Sequence, residues 1–406
     1  MSMPAPRRVV FVNRFYWPDE PATAQLLTDL AEGLAAEGWD VSVIASHPGH
    51  AGAPRCERRN GVTIHRVRGP RWGKRSLIGR VADFAAFLVG ALWRCIRVLH
   101  RGDTLVTKTD PPLLGVMLWP WAKLCRARHV HWVQDIYPEV AMAVAGERAG
   151  RWLAAGLCRL RDFTWRHSAG CVALGEDMAE FIRARGVARS QISIIGNWAP
   201  TGLAPAPADE VARLRRDWGL ADKFVIAYSG NLGRVHDLDP VLDLAGQLRD
   251  EPHIAFLFIG GGAQHARLHQ RVLDEQLRNV HFQPAQRRDR LATALGIGDL
   301  HLVTLLPSCA SLVFPSKLYG VAALGKPILF LGPDDSEPAR LVREYGMGLA
   351  SQREALTTLA SSLRQLSQNP VTLAGYGAAA RQFAEHNGAF TSALALWRQA
   401  LLKTRT

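Results

Sequence analysis

The sequence predicts an α/β protein built from two doubly wound, Rossmann-like halves that face each other across a cleft. Three observations predict it. Short apolar runs alternate with segments of helical spacing along almost the whole chain. One stretch, Asn197–Pro207 (NWAPTGLAPAP), is rich in Pro and Ala; it interrupts the alternation and reads as a linker, after which the rhythm restarts. Several strands run into small-residue or glycine-rich turns ahead of a helix, the arrangement in which open α/β sheets bind ligands at their carboxyl edges.

Taken in order, RRVVFVNRF is a strand, and Thr23–Glu37 is a helix ending at Gly38. Val41–Ala45 and Val62–Val67 are strands, and Leu77–Leu99 is one helix or a pair. Thr104–Lys108 is a strand ended by Asp110-Pro111-Pro112; a helix follows through Ala122–Cys125, then the strand His129–Val133. Helix Arg151–His167, strand Gly170–Ala173, helix Glu176–Ala184 and strand Ile192–Ile195 complete the first half. Beyond the linker, Phe224–Ser229, Ala255–Ile259, Val280–Gln283, His301–Leu306 and Ile328–Leu331 are strands. Leu238–Leu248, Ala266–Glu275, Asp289–Leu295, Leu318–Leu324, Pro338–Glu344, Arg353–Gln368 and Val371–His386 are helices. The expected domains are residues 1–197 and 208–388, with residues 389–406 forming a last helix that packs back on the first.

A chain of 406 residues with 48% hydrophobic and 21% charged content is globular and long enough for two or three domains. The six cysteines are scattered, with no C-x-x-C or Cys/His spacing for zinc, and read as reduced structural residues. No metal site and no cofactor are expected, and neither G-x-S-x-G nor a paired Asp-x-Asp at a strand end is present. The amino terminus reads as a first strand rather than a signal peptide.

The net charge of +13 is uneven: between Arg55 and Arg101 twelve Lys/Arg face two acids, Glu57 and Asp83. Two apolar runs, Phe84–Trp93 and Pro111–Trp121, lie in or just after this segment and are too short to span a bilayer. Tryptophan beside arginine suits an anionic membrane surface. The same runs are also compatible with buried helices under solvated arginines. Nucleic acid is not the expected partner, because no helix-turn-helix, zinc-finger or RNA-binding signature accompanies the charge.

Five places are chemically suggestive. In NRFYWPDEPATAQ, small residues and Thr23 open a helix, where a substrate can approach or Thr23 simply caps. In QDIYPE, Asp135, Tyr137 and Glu139 follow a strand; a carboxylate there can orient a sugar hydroxyl, the reading favoured for Asp135 over a helix cap and less so for Glu139. SGNLGRVHD offers glycines and Arg234, a fork-shaped donor for a diphosphate, with His236 ambiguous. Gly260-Gly261-Gly262 permits close backbone approach or only a tight turn. FPSKLYG puts Ser316 and Lys317 at a helix start, attractive to phosphate or merely capped.

Together, NRFYWPDEPATAQLLTDLA, KTDPPLL, WVQDIYPEVA, YSGNLGRVHDLD, FLFIGGGA, VFPSKLYGVAALGKPILFLG and SEPARLV resemble the retaining glycosyltransferases of family 4, which have the GT-B fold. The likeness is to the branch that builds bacterial surface polysaccharides, similar to colanic-acid and fucosamine transferases. The resemblance implies a nucleotide-sugar donor, UDP favoured, held by the second domain, and a lipid-linked saccharide acceptor held by the first. It implies donor contacts at Gly230, Asn231, Gly233, Arg234, Gly261, Gly262, Pro284, Ala285, Gln286, Ser316, Lys317 and Glu337. Acceptor contacts would be Thr23, Asp135, Tyr137 and Glu139, and the catalytic groups Asp135, Arg234 and Lys317. The enzyme would work without metal, at the cytoplasmic face of the membrane. Two departures stand out: neither of two glutamates usual around this helix is present, near Ala310–Leu312 or at Gly320, where the second commonly holds the ribose; and Asn231 and His236 stand where an arginine–lysine pair is usual. A nucleotide-sugar epimerase on the same fold, a basic nucleic-acid binder and an inactive scaffold are the rival readings.

Overall fold

The computed structural model describes residues 7–49, 53–69, 77–145 and 151–403, and the chain divides into two compact units. The first comprises Met1–Gly196 together with Phe390–Thr406, and the second Asn197–Ala389. Arg71, Lys74 and Arg75 of the basic stretch lie outside the described residues.

The first unit runs β1 (Arg8–Val12), α1 (Ala22–Ala36), β2 (Asp40–Ser46), β3 (Cys56–Arg59), β4 (Val62–Val67), α2 (Leu77–Val98), β5 (Thr104–Thr107), α3 (Leu114–Leu124), β6 (Arg128–Trp132), α4 (Glu139–Ala145), α5 (Arg151–Arg166), β7 (Gly170–Ala173), α6 (Glu176–Arg183) and β8 (Ile192–Ile194). Its sheet has the order β3-β4-β2-β1-β5-β6-β7-β8. Every described pairing in it is parallel except β3 with β4. The central parallel strands are mostly apolar because helices cover both faces, as Val9–Val12 and Leu105–Val106 show at 0% exposure. Leu77–Leu99 forms one helix, not two. It buries Phe87, Ala91, Cys95 and Val98, spaced three to four apart, against Val10, Val12, Ile44 and Leu105 of the sheet.

The second unit runs α7 (Ala208–Asp217), β9 (Phe224–Ser229), α8 (Asp239–Gln247), β10 (Ile254–Ile259), α9 (His265–Asp274), β11 (Val280–Gln283), α10 (Leu291–Gly296), β12 (Leu300–Thr304), α11 (Lys317–Ala323), β13 (Ile328–Leu331), α12 (Glu337–Glu344), β14 (Gly348–Ser351), α13 (Leu356–Ser367) and α14 (Pro370–His386). Its sheet, β11-β10-β9-β12-β13-β14, is parallel in every described pairing. Both units are therefore Rossmann-like. The final helix, α15 (Phe390–Leu402), belongs to the first unit: it contacts α1, and its Trp397, 0% exposed, meets Trp132 edge to face at 4.6 Å.

Four elements were not anticipated, each for a physical reason. β3 reads CERR, with no apolar alternation, and is paired only because Asn60 and Gly61 take positive φ (46° and 81°) in the tight turn to β4. α7 buries no residue fully: its few apolar side chains, Val211 and Leu214 among them, pack only partly buried against the core, so its stripe is sparse. β14 is a half-buried edge strand of small residues. α4 is a short helix behind Tyr137-Pro138.

Candidate functional site

In each sheet the strand order reverses direction once, between β1 and β5 in the first unit and between β9 and β12 in the second. The crevice at the carboxyl ends beside such a reversal is where open α/β sheets hold ligands.

In the second unit, the loop after β9 and the loop after β10 lie backbone against backbone. Gly230 donates its N–H to Ile259 O at 2.9 Å, and Leu232 donates to Gly261 O at 2.8 Å. A Cβ on Gly260 (φ +135°) would stand 2.2 Å from Gly230 O, so side chains are excluded there. Gln264 ties the same loop from α9, its side chain donating to Gly233 O at 2.7 Å and His236 O at 3.0 Å. From the other side of the reversal comes Lys317. Its Nζ lies 3.3 Å from the ring centroid of Tyr228, the penultimate residue of β9, and 3.8 Å from where a Gly230 Cβ would be. That amine is buried, has no hydrogen-bond partner among the described residues, and burial pushes its pKa well below the usual lysine value. An unpaired cation beside two open glycine turns is set up for an anion.

His236 does not share that role. Its Nδ1 lies 2.7 Å from Thr304 O, its ring meets Tyr228 at 5.8 Å, and burial, followed by the nearby Lys317 charge, lowers its pKa to about 3. It is a neutral strut. Arg234 and Asn231 are exposed, and Arg234 makes no side-chain hydrogen bond among the described residues. Ser316 caps no N–H with its side chain, although it directly precedes α11. Pro284 and Ala285 are exposed after β11, where Gln286 donates to Pro284 O at 2.9 Å. Glu337 opens α12, pairs with Arg340, and is close enough to Tyr319 of α11 to raise that phenol, whose shift is otherwise set by burial. Gly320 is buried beneath the linker, its missing Cβ 3.8 Å from both Leu203 and Pro200. A carboxylate at that position would face apolar atoms.

In the first unit the reversal gathers Arg14, Thr23, Lys108, Thr109, Asp110 and Asp135. Thr109 Oγ1 takes the N–H groups of Gln134 (3.3 Å) and Asp135 (3.2 Å), fixing the turn after β6. The Asp135 carboxylate makes no hydrogen bond among the described residues. Burial, then Asp110, push its pKa up to about 6 against the pull of Lys108. Arg14 Nε pairs with Asp110 at 3.0 Å. Thr23 lies in the first turn of α1, and its carbonyl rather than its hydroxyl carries the main contact, accepting from Lys108 Nζ at 3.0 Å. Tyr137 is half-buried, its carbonyl accepting from Arg161 at 2.8 Å.

Glu139 requires a correction. Its carboxylate is bidentate to the buried Arg161 guanidinium; although burial acts to raise its pKa, hydrogen bonds from Arg161 hold it below the ordinary value. It fastens α4 to α5 and is not available to an acceptor. Two residues that the sequence did not single out complete the sites: Lys108 in KTDPPLL and Tyr228 in YSGNLGR.

Helices α2, α3 and α5, which pack side by side, also leave an apolar surface. Val81 (60%), Val89 (67%), Trp93 (52%) and Ile96 (46%) of α2, and Trp152 (94%) and Leu153 (72%) of α5, are solvent-exposed. Arg97 stacks over Trp93 at 3.2 Å. Among the described residues no helix is long and apolar enough to cross a membrane.

Comparison with known proteins gives two family matches, Glycosyl transferase 4-like domain over residues 23–198 and Glycosyl transferases group 1 over residues 211–383. The chain is 29% identical to WcaI of Escherichia coli (strain K12), a glycosyl transferase named for colanic acid biosynthesis, over 91% of this chain and 93% of that one. It is 28% identical to the glycosyltransferase WbjE of Pseudomonas aeruginosa over 69% of this chain and 70% of that one. Among solved structures, HepE of Anabaena in complex with UDP superposes with a TM-score of 0.72 at 14% identity, covering 97% of this chain and 99% of that one.

Proposed function

Because the chain belongs to the GT-B glycosyltransferases of family 4, with a 4-like first domain and a group 1 second domain, we propose that it moves a sugar from a nucleoside diphosphate donor to a lipid-linked saccharide. The product would be a bacterial surface polysaccharide, in keeping with the naming of WcaI. A UDP-sugar is the favoured donor, because HepE is known with UDP and with UDP-glucose. Neither the epimerase nor the nucleic-acid reading gains an observation in its favour.

The observation that carries the proposal is the buried, unpaired Lys317 ammonium beside Gly230. Beyond the Tyr228 ring such a charge is stabilised when an anion arrives, and the diphosphate leaving group accumulates negative charge as the glycosidic bond breaks. Exposed Arg234 would close over the same diphosphate. Transfer is assigned as retaining from the family 4 resemblance: a leaving-group oxygen takes the acceptor proton on the face from which the sugar departs, while Asp135 orients the hydroxyl. The exposed apolar, arginine-flanked face of α2 and α5 would seat the first unit on an anionic bilayer where such acceptors reside.

The test is Lys317→Ala, with donor hydrolysis, transfer and donor affinity all measured. Loss of about 10²–10³-fold in turnover is expected for a group acting on leaving-group charge. Unchanged turnover and affinity would remove the phosphate role.

A further inference from the structure

Arg14 stands in the turn after β1, at the carboxyl edge of the first sheet, with 25% of its side chain exposed. Its backbone is fixed on both sides. The N–H donates to Asp110 O at 2.9 Å, and the carbonyl accepts from the Ser46 N–H at 2.9 Å. The guanidinium rests on two aromatic rings, 4.3 Å from the centroid of Phe15 and 4.7 Å from that of Phe84. Stacking of this kind holds the planar group still and leaves its edges to hydrogen-bond. One edge is taken: Nε lies 3.0 Å and Nη2 3.4 Å from the Asp110 carboxylate. Nη1 has no hydrogen-bond partner among the described residues and is open to solvent. A tie between the turns after β1 and β5 needs only the Asp110 edge and leaves Nη1 without a task.

Phe84 belongs to α2, whose outer side is apolar. Val81, one turn before Phe84, is exposed, and Val89, Trp93 and Ile96 continue the stripe along the helix. An open cationic edge beside an exposed apolar helix face fits an amphiphile, one that carries an anionic group and an alkyl chain together. We propose that Arg14 is a specificity-determining residue for the acceptor: its Nη1 edge binds a phosphate that joins lipid to saccharide, while Asp110 holds the other edge. The inference rests on the reading of the first unit as the acceptor side. It narrows that acceptor to a lipid bearing phosphate, in place of a neutral glycolipid.

The experiment measures binding of farnesyl diphosphate, farnesol and inorganic pyrophosphate by tryptophan fluorescence, with UDP in excess to occupy the phosphate loops of the second unit. Wild type, Arg14→Met, Arg14→Lys and Asp110→Asn are compared, and circular dichroism checks the fold of each. Methionine keeps a stem against the two rings without charge. Lysine keeps a charge for Asp110 but, as a point donor, cannot serve a carboxylate and a phosphate on two edges. Both Arg14 variants should bind farnesyl diphosphate about 10–100-fold more weakly than the wild type, with farnesol binding unchanged. Asp110→Asn should not weaken it, because the guanidinium remains and loses a competitor. Equal binding of farnesyl diphosphate by the wild type and both Arg14 variants overturns the inference. So does pyrophosphate bound as tightly as farnesyl diphosphate, which assigns the edge to free phosphate. Equal weakening by Asp110→Asn and Arg14→Met also sinks it, since Arg14 is then only a tie between turns. The parent reading is tested apart, by nucleotide release from UDP- and GDP-sugars with bacterial lipid extract. Absence of lipid-dependent release by the wild type removes the acceptor reading, whatever farnesyl diphosphate does.

Discussion

Gly260 shows how a single hydrogen atom can hold a binding loop open. Any side chain there would meet Gly230 O at 2.2 Å, and the backbone N–H groups around Gly230 would be pushed from their places. Gly260→Ala should cost about 1–3 kcal/mol of stability by overpacking. It should also abolish the thermal stabilisation produced by UDP, which calorimetry with and without nucleotide would check. Asp135 carries the opposite kind of signature. Its folded pKa, about 6, lies above the ordinary 3.8, so its protonated form stabilises the fold: that stability is complete below about 3.8 and is lost as pH rises through about 6. Asp135→Asn should therefore melt higher than the wild type at pH 8 and match it near pH 3.5. Activity follows the reverse order, because the ionised form is the one proposed to orient the acceptor. The residues that the sequence singled out, such as Gly230, Lys317 and Asp135, stand at strand ends and helix starts, where glycine or charge interrupts the apolar pattern. Lys108 and Tyr228 were hidden because each sits at the end of an apolar strand and reads as the edge of a core, while Glu139 looked available only because Arg161, far along the chain, could not be seen to claim it.

At the scale of elements, the parallel strands were legible because they are continuous apolar runs, and β9, β11 and β13 begin and end where their composition changes. The elements that escaped, β3, α4, α7 and β14, are short, polar or marginal and take their structure from tertiary packing. The most consequential element is α15, which rejoins the first unit after the whole second unit has been completed. Through Trp397 it supports Trp132, and through Trp132 it supports Lys108. Trp397→Ala should destabilise the first unit by about 3–5 kcal/mol. Where the variant still folds, it should weaken acceptor use more than donor binding, seen as a rise in acceptor KM with nucleotide affinity intact. An equal loss of both would mean that α15 is a structural clamp alone.

For the whole molecule, the two units repeat one device: a lysine following the strand just past the sheet reversal, lying over the face of an aromatic ring. In the first it is Lys108 over Trp132, and in the second Lys317 over Tyr228. The first has the Asp110 and Asp135 carboxylates near enough to act on its charge, suited to a hydroxyl acceptor; the second has no hydrogen-bond partner among the described residues, suited to a diphosphate. The surplus of basic residues belongs to a third property, attachment. Wild-type protein should co-sediment with vesicles containing phosphatidylglycerol and be released by high salt, and replacing Trp93 and Trp152 with Glu should abolish sedimentation without lowering the melting temperature. The central claim is that nucleotide-sugar turnover depends on the Lys317 ammonium, and it is tested most directly by nucleotide release. Wild-type and Lys317→Ala proteins would be supplied with UDP- and GDP-sugars and bacterial lipid extract, and free UDP and GDP measured over time. The account predicts lipid-dependent release by the wild type and a loss of about 10²–10³-fold in the variant; equal release by the two proteins, or release by neither, would contradict it.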